Sequence, residues 1–568
     1  MFPRFAHIVS AWTTGALCLF LVCGSPCSST FNTQQAPASI QHANITIDYP
    51  LPDSLFPPEI TPPTFLWRDP SENAQRWVIE VTFANQSAGI HLDVPGEHMQ
   101  RRKNDPRGGP DAELNPEQKA ARTWKPDSET WVRIKRLSVK HPATISITGF
   151  ANNDSKIALS RGTVTISTSV DPVGAPIFYR DVPLMISPLE DKGAIQPLPP
   201  TALPLIAWKL RNIGEPESRT VMENLPTCAN CHSFSKDGRT LGIDLDGPRN
   251  DKGLYALVPI AKKTTIRSQD VLRWSSFQEN LDASSAEPAV KRFGFMSQVS
   301  PDGRYVITSI GPHVAKNSNK EEDSGFAPGV INRLFSMNYR DISFIQVFYP
   351  TRGILAWYDS QEKKMHALPG ADDPQFVQTS AFWSPDGKYL IFSRAKARDP
   401  YPPGATKPEH ANDPNEPQIQ YDLYRIPFNG GKGGRAVPVL GASGNGMSNN
   451  FPKVSPDGRW IVFVQNHNGL LMRPDSHLYI VPFAGGTARL MRCNTSLMNS
   501  WHSFSPNGRW LAFSSKARSP YTQLMLTHID AAGNDTPAIF VDDTTAANRA
   551  VNIPEFVNLP PHGLDVGA

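Results

Sequence analysis

The feature that most constrains the fold is a six-residue motif that returns along the C-terminal half of the chain. Four copies contain Ser-Pro, then Asp or Asn, Gly, a basic residue and an aromatic residue, and they begin at Ser300, Ser384, Ser455 and Ser505. An imperfect fifth copy begins at Ser235. Proline presets φ at the first turn position, and Asp-Gly or Asn-Gly tolerates left-handed backbone. Each copy therefore predicts a tight hairpin.

The sequence after each turn is typical of a half-buried strand. The runs 390–393 and 461–464 are made mostly of Ile, Leu, Val and Phe, which favour strands. Two of the units also contain a second turn with Gly-Gly, at 430–431 and 485–486. Four strands joined by tight turns make one propeller blade.

The spacing of the copies allows more blades than copies. Successive Asp or Asn positions are 65, 84, 71 and 50 residues apart, whereas a minimal blade needs about 40 to 45 residues. Five repeats are visible, and the long intervals allow six or seven blades. The tail 552–557 is strand-like, and we expect it to complete a blade, because ring closure removes exposed sheet edges.

These repeats resemble the TolB-like, WD40-like (PD40) β-propeller repeats of exported bacterial proteins. The resemblance covers roughly residues 228–545. It implies an all-β fold with a multi-bladed β-propeller. It implies little about activity, because such propellers serve as scaffolds, peptidase lids and binding platforms.

The region before the repeats has a different pattern. Alternating apolar runs separated by proline-rich joins lie at 77–83, 144–148 and 162–166. They predict an immunoglobulin-like β-sandwich over residues 41–195. The proline-rich segment 196–227 is interpreted as a linker, and 228–568 as the propeller.

The second informative feature is a C-x-x-C-H motif, residues 228–232, at the start of the first repeat. This is the spacing of c-type haem attachment, in which two thiols form thioethers to one haem and the histidine holds the iron. Over these five residues the chain resembles c-type cytochromes. The motif predicts one covalent haem c on Cys228 and Cys231, with His232 as the proximal iron ligand.

The sixth iron ligand is not determined by the sequence. Met296 and Met447 precede the second and fourth repeats, and His502 holds in the last repeat the place of His232 in the first. These three are candidate distal ligands, with core packing as the alternative role. Since His502 has no neighbouring cysteine, a histidine at this position is also explained as a residue of the fold.

The N-terminus predicts export. Residues 1–29 contain a basic residue, a mostly apolar stretch and then small residues, as in a secretory signal peptide. The apolar stretch is shorter than the roughly 20 residues of a spanning helix. A periplasmic or cell-envelope location follows, with membrane association through an uncleaved N-terminal anchor as the alternative. Export agrees with the haem motif, because c-type attachment takes place outside the energised membrane.

Charge and motifs exclude several functions. The chain has 56 basic and 53 acidic residues, so it lacks the basic excess of a nucleic-acid-binding protein. It contains no G-x-S-x-G or H-E-x-x-H motif, so no hydrolase is predicted and enzymatic activity stays open.

Two functions remain after these exclusions. The first is an exported mono-haem c-type cytochrome-like propeller, for electron transfer or haem-based redox chemistry with a redox partner. The second is a haem-free exported propeller that binds a protein or a glycan, with a Cys228–Cys231 disulfide.

Overall fold

A computed structural model of the protein describes residues 42–84, 86–151, 157–184, 200–247, 251–261, 264–274, 294–311 and 334–559. Strands dominate these ranges. The predicted signal peptide or anchor, 1–29, lies outside them. Within the described part of the chain, no helix is long and apolar enough to cross a membrane.

The N-terminal region contains ten strands and two helices. In chain order they are β1 (Ala43–Asn44), β2 (Thr46–Tyr49), β3 (Ser54–Phe56), β4 (Phe65–Arg68), β5 (Arg76–Phe83), β6 (Gln86–Val94), β7 (Glu97–His98), α1 (Pro116–Ala120), β8 (Arg122–Trp124), α2 (Ser128–Leu137), β9 (Ala143–Phe150) and β10 (Ala158–Thr168). One sheet has the order β1-β10-β9-β5-β6, with β3 also on β10, and the other has the order β2-β4-β8-β7.

The core of this region is built on tryptophans. Trp67 of the smaller sheet and Trp77 of the larger one meet edge to face, with ring centroids 6.0 Å apart. Helix α2 begins where the Asp127 carboxylate accepts a hydrogen bond from the Thr130 amide, which satisfies a free N–H of the first turn. The ring centroid of its buried Trp131 lies 5.2 Å from that of Phe56. The larger sheet is mixed, since β1 and β3 pair with β10 in parallel, and the immunoglobulin-like type stays a prediction.

The rest of the described chain folds as a β-propeller. Its strands are β11 (Ile177–Val182), β12 (Ala207–Arg211), β13 (Arg219–Glu223), β14 (Ala229–Phe234), β15 (Thr240–Gly247), β16 (Asp251–Pro259), β17 (Val271–Arg273), β18 (Gly294–Val299), β19 (Tyr305–Ile310), β20 (Leu334–Asn338), β21 (Gln346–Pro350), β22 (Ile354–Asp359), β23 (Lys364–Ala367), β24 (Phe376–Trp383), β25 (Tyr389–Lys396), β26 (Asp422–Pro427), β27 (Val437–Pro438), β28 (Ser448–Val454), β29 (Trp460–Asn466), β30 (His477–Pro482), β31 (Arg489–Leu490), β32 (Asn499–Phe504), β33 (Trp510–Ser515), β34 (Gln523–His528), β35 (Ile539–Phe540) and β36 (Ala550–Phe556).

These strands form six four-stranded sheets in the described residues, which we call blades 1 to 6. Blades 1 to 5 are β14-β15-β16-β17, β18-β19-β22-β23, β24-β25-β26-β27, β28-β29-β30-β31 and β32-β33-β34-β35, and blade 6 is β36-β11-β12-β13. The hairpin β20–β21 is inserted into blade 2. Short 3-10 turns lie at Pro200–Leu205, Ser268–Asp270 and Asn429–Gly431. The predicted all-β propeller is confirmed.

The repeated motif forms the turn that was predicted. In each copy the serine hydroxyl donates to the Asp or Asn side chain two residues later, at 2.5–2.6 Å. The same hydroxyl accepts the amide of the fifth residue after it, at 2.8–3.0 Å. The motif glycines have φ between 70° and 77°, a conformation that glycine adopts without a steric cost. All five copies form the same turn because these local hydrogen bonds close the hairpin.

Blade 6 joins the two ends of the propeller chain. β36 pairs with β11, from Ile177 opposite Phe556 to Val182 opposite Ala550. The expected return of the tail 552–557 is confirmed. The sheet also takes in β12 and β13, so strand pairing runs through the segment 196–227 that the sequence suggests is a linker. The repeat motif is absent from this blade's outer strands, which is why the sequence did not assign them.

The N-terminal region lies on blade 5. The Trp510 indole and the Asn507 amide donate to the carbonyls of Asp171 and Pro172, at 3.0 and 2.6 Å. The His528 ring and the Asp171 carboxylate are 2.8 Å apart. Buried apolar residues of both parts belong to one continuous core. The N-terminal region therefore packs directly against the propeller.

Candidate functional site

The innermost strand of each repeat-bearing blade is interrupted at a fixed place. Its register shifts by one residue a few positions before the turn serine. In blades 2 to 5 the residue four before that serine has φ between 51° and 54°; these residues are Met296, Ser380, Phe451 and Trp501. Such bulges re-aim side chains and often lie at functional sites. Cys231 is the residue at the same count in blade 1.

A cavity of about 310 Å³ lies against this ring of bulges. Both Cys228 and Cys231 line it, and we call it the cysteine cavity. Inner strands, the inserted hairpin and a loop of blade 4 supply the rest of the wall, including Met296, Trp501, Ile553, Phe344, Phe348, Leu471 and Met472. The wall is mostly apolar, and the volume is within the range of small-molecule sites.

The bulge explains how both cysteines reach one cavity. In a regular strand, residues three apart face opposite sides. The register of β14 shifts between Ala229 and His232, and the additional residue reverses the alternation. Cys228 and Cys231 therefore lie on the same side, as haem attachment requires.

His232 does not line the cavity. Its ring lies 4.7 Å from the Phe178 ring and 6.2 Å from the Phe234 ring. Burial lowers the pKa of His232 to about 3, so the ring is neutral, while the nearby backbone of Ile553 and Asn230 acts in the opposite direction. Neither ring nitrogen has a hydrogen-bond partner of ordinary geometry. The structure separates the predicted iron ligand from the two predicted attachment points.

The two thiols differ in their neighbours. The Arg180 guanidinium donates a long hydrogen bond to the Cys228 sulfur, at 3.8 Å. Burial raises the pKa of the Cys231 thiol, and the Asp244 carboxylate raises it further, while Arg180 opposes the shift. Cys231 is therefore a protonated thiol at neutral pH in this structure.

No disulfide joins the three cysteines of the described part, Cys228, Cys231 and Cys493. The Cys228–Cys231 disulfide of the second interpretation is therefore not formed.

The three candidate distal ligands lie in different places. Met296 lines the cavity, and its sulfur accepts the Ser380 hydroxyl at 3.4 Å. Met447 precedes β28 and does not line the cavity, and His502 does not line it either. One nitrogen of the buried His502 ring lies 2.8 Å from the Val462 carbonyl, which supports a role in the fold.

Met472 and Arg180 are among the cavity residues that sequence reasoning missed. Met472 lies in the loop between β29 and β30 and has a left-handed backbone, with φ 50°. Arg180 is in β11, outside the visible repeats. No motif marks either residue, because each reaches the cavity only through the closed ring of blades.

A buried ion pair anchors the cover of the cavity. Arg473, next to Met472, donates to the Glu416 carboxylate at 2.6 Å, and both side chains are fully buried. The same carboxylate accepts the Tyr339 hydroxyl at 2.7 Å, from the inserted hairpin. The hairpin and the 470–473 loop are thus tied to one carboxylate, which holds both parts of the cover in place.

The cavity fits part of the predicted cofactor chemistry. The two cysteine thiols, the thioether side chains of Met296 and Met472, and the apolar walls suit a covalently attached haem. The His232 ring does not fit axial ligation in this conformation, because it lies on the other face of β14. Within the described ranges, no group of three or more His, Cys, Asp or Glu side chains could hold a metal ion.

No known family model matches the chain, and no curated protein matches it. A periplasmic gluconolactonase of Pseudomonas aeruginosa is similar in structure, with 13% identity and a TM-score of 0.34, over 67% of this chain and 99% of that one. A putative 6-phosphogluconolactonase of Bacteroides uniformis has 12% identity and a TM-score of 0.30, over 72% of this chain and 94% of that one. Similarity at this level says nothing about activity, and the propeller assignment comes from the six blades.

Proposed function

We propose that the protein is an exported β-propeller that carries one covalent haem c in the cysteine cavity, attached at Cys228 and Cys231. The observation that carries the proposal is the shared orientation of the two thiols. They line one mostly apolar cavity because β14 is bulged between them. Export, through the N-terminal segment, is part of the proposal, since c-type attachment takes place outside the energised membrane.

The haem would supply one-electron transfer or redox chemistry with a partner protein. Met296 and Met472 are the thioether side chains of the cavity, and a methionine ligand raises the potential of a haem. Iron ligation by His232 stays a prediction. It requires the ring to leave its contact with Phe178 and to turn toward the cavity.

The test is covalent haem content. The full chain is exported from cells that contain a c-type maturation system, and haem is measured by pyridine haemochrome and by staining after denaturing electrophoresis. We expect one haem per chain in the wild type and none in a Cys228→Ser, Cys231→Ser variant. Cys493→Ser is the matched control, because Cys493 is a buried free thiol that does not line the cavity. Haem-free wild type from cells that mature another c-type cytochrome would overturn the proposal.

A second function is favoured by one observation, the position of His232 outside the cavity. In this alternative the propeller binds a small apolar molecule without a covalent bond, and His232 is a packing residue like His502. Calorimetric titration of the haem-free chain with an apolar ligand would support this function, if the staining experiment has shown no covalent haem.

A further inference from the structure

The described residues include four buried arginines: Arg180, Arg211, Arg473 and Arg549. Arg473 pairs with Glu416, and Arg549 pairs with Asp181 at 2.5 Å. Arg211 donates to the carbonyls of Glu215 and Asp542, at 2.7 and 2.9 Å. Arg473 and Arg549 therefore have carboxylate partners, and Arg211 has no ion pair but donates to two carbonyl oxygens, so all three guanidinium groups have oxygen acceptors inside the protein.

Arg180 differs from the other three. Its residue is 8% exposed and lines the cysteine cavity. Its Nε has no hydrogen-bond partner, and its Nη2 has only the long contact to the Cys228 sulfur, at 3.8 Å. The Trp208 ring lies 6.0 Å from the guanidinium carbon. No carboxylate of the described chain forms an ion pair with it, and the Asp244 carboxylate of the same cavity receives the Ser297 hydroxyl instead, at 3.0 Å.

Arg180 forms no ion pair with a carboxylate of the described residues, although Asp244 and Asp246 also line the cavity, and a bound anion would offset the cost of burying its charge. Arginine presents its donors in a fork that matches the two oxygens of a carboxylate. The rest of the wall is mostly apolar and includes Phe344, Phe348 and Leu471. A ligand that satisfies both features has an apolar body and a carboxylate at one end.

We propose that Arg180 is the anion-recognition residue of the cysteine cavity, and that the cavity binds an apolar carboxylate. The inference rests on the proposed function in one respect, namely that the cysteine cavity is the ligand site. The inference narrows the chemical class of the ligand to carboxylates. A haem would place a propionate carboxylate at Arg180, and a non-covalent ligand would place its own carboxylate there.

The experiment uses the full chain produced without a c-type maturation system, so that no haem is attached. Decanoate and its neutral analogue decanol are titrated by calorimetry. We expect decanoate to bind at least tenfold more tightly than decanol to the wild type. In Arg180→Gln the two affinities become equal because decanoate loses its advantage, and Arg180→Lys, which keeps the charge, retains part of the preference.

Arg239→Gln is the control for net charge, since Arg239 lies on the exposed turn of blade 1, and it should keep the wild-type preference. Equal binding of the two probes by the wild type, or no binding of either, would overturn the inference. If circular dichroism shows that Arg180→Gln does not fold, the test uses Arg180→Lys, whose preference for decanoate should be smaller than that of the wild type. A failure of the decanoate titration does not affect the haem-staining experiment, because that experiment tests covalent attachment at the two thiols. Absence of covalent haem likewise does not affect the titration, which uses haem-free protein.

Discussion

At the scale of single residues, burial determines the charge of two histidines in equivalent places of blades 1 and 5. Burial lowers the pKa of His232 and of His502 to about 3. In an unfolded chain the pKa of histidine is about 6.5, so the unfolded state binds more protons between these values. The stability contributed by the neutral rings is complete above about pH 6.5, and it is lost as the pH falls toward about 3.

This titration predicts an acid sensitivity that can be assigned to one residue. Between pH 7 and pH 5 each buried histidine should lower the free energy of unfolding by about 2 kcal/mol. His502→Gln keeps a donor for the Val462 carbonyl and removes the titrating ring. We expect the variant to lose about 2 kcal/mol less than the wild type over this range, measured by urea unfolding at both pH values.

The control for this prediction is His98→Gln, which makes the same substitution at an exposed ring instead of a buried one. An identical fall in stability for the wild type and His502→Gln would contradict the burial argument.

At the scale of elements, the inserted hairpin β20–β21 covers the cysteine cavity. Its turn is held from blade 5, where the Lys516 ammonium donates to the Ser343 carbonyl and lies 4.9 Å from the centre of the Phe344 ring. Burial lowers the pKa of Lys516 to about 8, and the Asp341 carboxylate opposes this shift. One buried amine therefore joins the cover to the ring of blades.

Replacing this amine should loosen the cover without unfolding the propeller. In Lys516→Met the turn loses its donor while the side chain keeps its apolar stem. We expect hydrogen exchange of the Tyr339 and Phe344 amides, both hydrogen-bonded within the hairpin region, to become at least about tenfold faster, because local opening costs less.

Lys388→Met is the matched control, because the Lys388 side chain is 76% exposed on the turn of blade 3. It should leave the exchange of the hairpin unchanged. If Lys516→Met also leaves that exchange unchanged, the bonds of the Glu416 carboxylate to Arg473 and Tyr339 hold the cover without Lys516. Faster exchange throughout blade 5 would mean that Lys516 stabilises the blade rather than the hairpin.

At the scale of the whole molecule, one strand closes the ring. β36 supplies the inner edge of blade 6, and its Glu555 forms an ion pair with Lys453 of blade 4, at 2.9 Å. Ala550, Asn552 and Ile553 of the same strand line the cysteine cavity. Closure and the cavity therefore depend on the same seven residues.

A chain that ends at Arg549 should lose its single cooperative thermal transition. The inner edge of β11 would be left without a partner, and an exposed edge of this kind promotes association between molecules. We expect aggregation or a broad transition by differential scanning calorimetry and size-exclusion chromatography. A chain that ends at 559 is the control, because it keeps β36. A wild-type transition in the shorter chain would show that the ring does not need this strand.

The sequence by itself predicted the repeating unit and the return of the tail 552–557 to complete a blade, but β11, the strand with which the tail pairs, was assigned to the N-terminal region. The serine, proline, glycine and aspartate of each turn act over six residues, and strand alternation acts over neighbouring residues. The turns and the strands can therefore be recognised from the sequence without knowledge of tertiary contacts. The outer strands of blade 6 were not predicted, because β12 and β13 lack the turn motif and are recognised only by their pairing with β11 and β36.

Only the tertiary structure decided which side chains share the cavity. A one-residue bulge reverses every side chain that follows it in a strand, and nothing in the C-x-x-C-H motif marks the bulge in β14. The structure therefore brought Cys228 and Cys231 together and turned His232 to the opposite face. Arg180 and Met472 joined them from blade 6 and from the loop of blade 4 because the ring is closed, and contacts at such long separation depend on the packing of whole blades rather than on local chain chemistry.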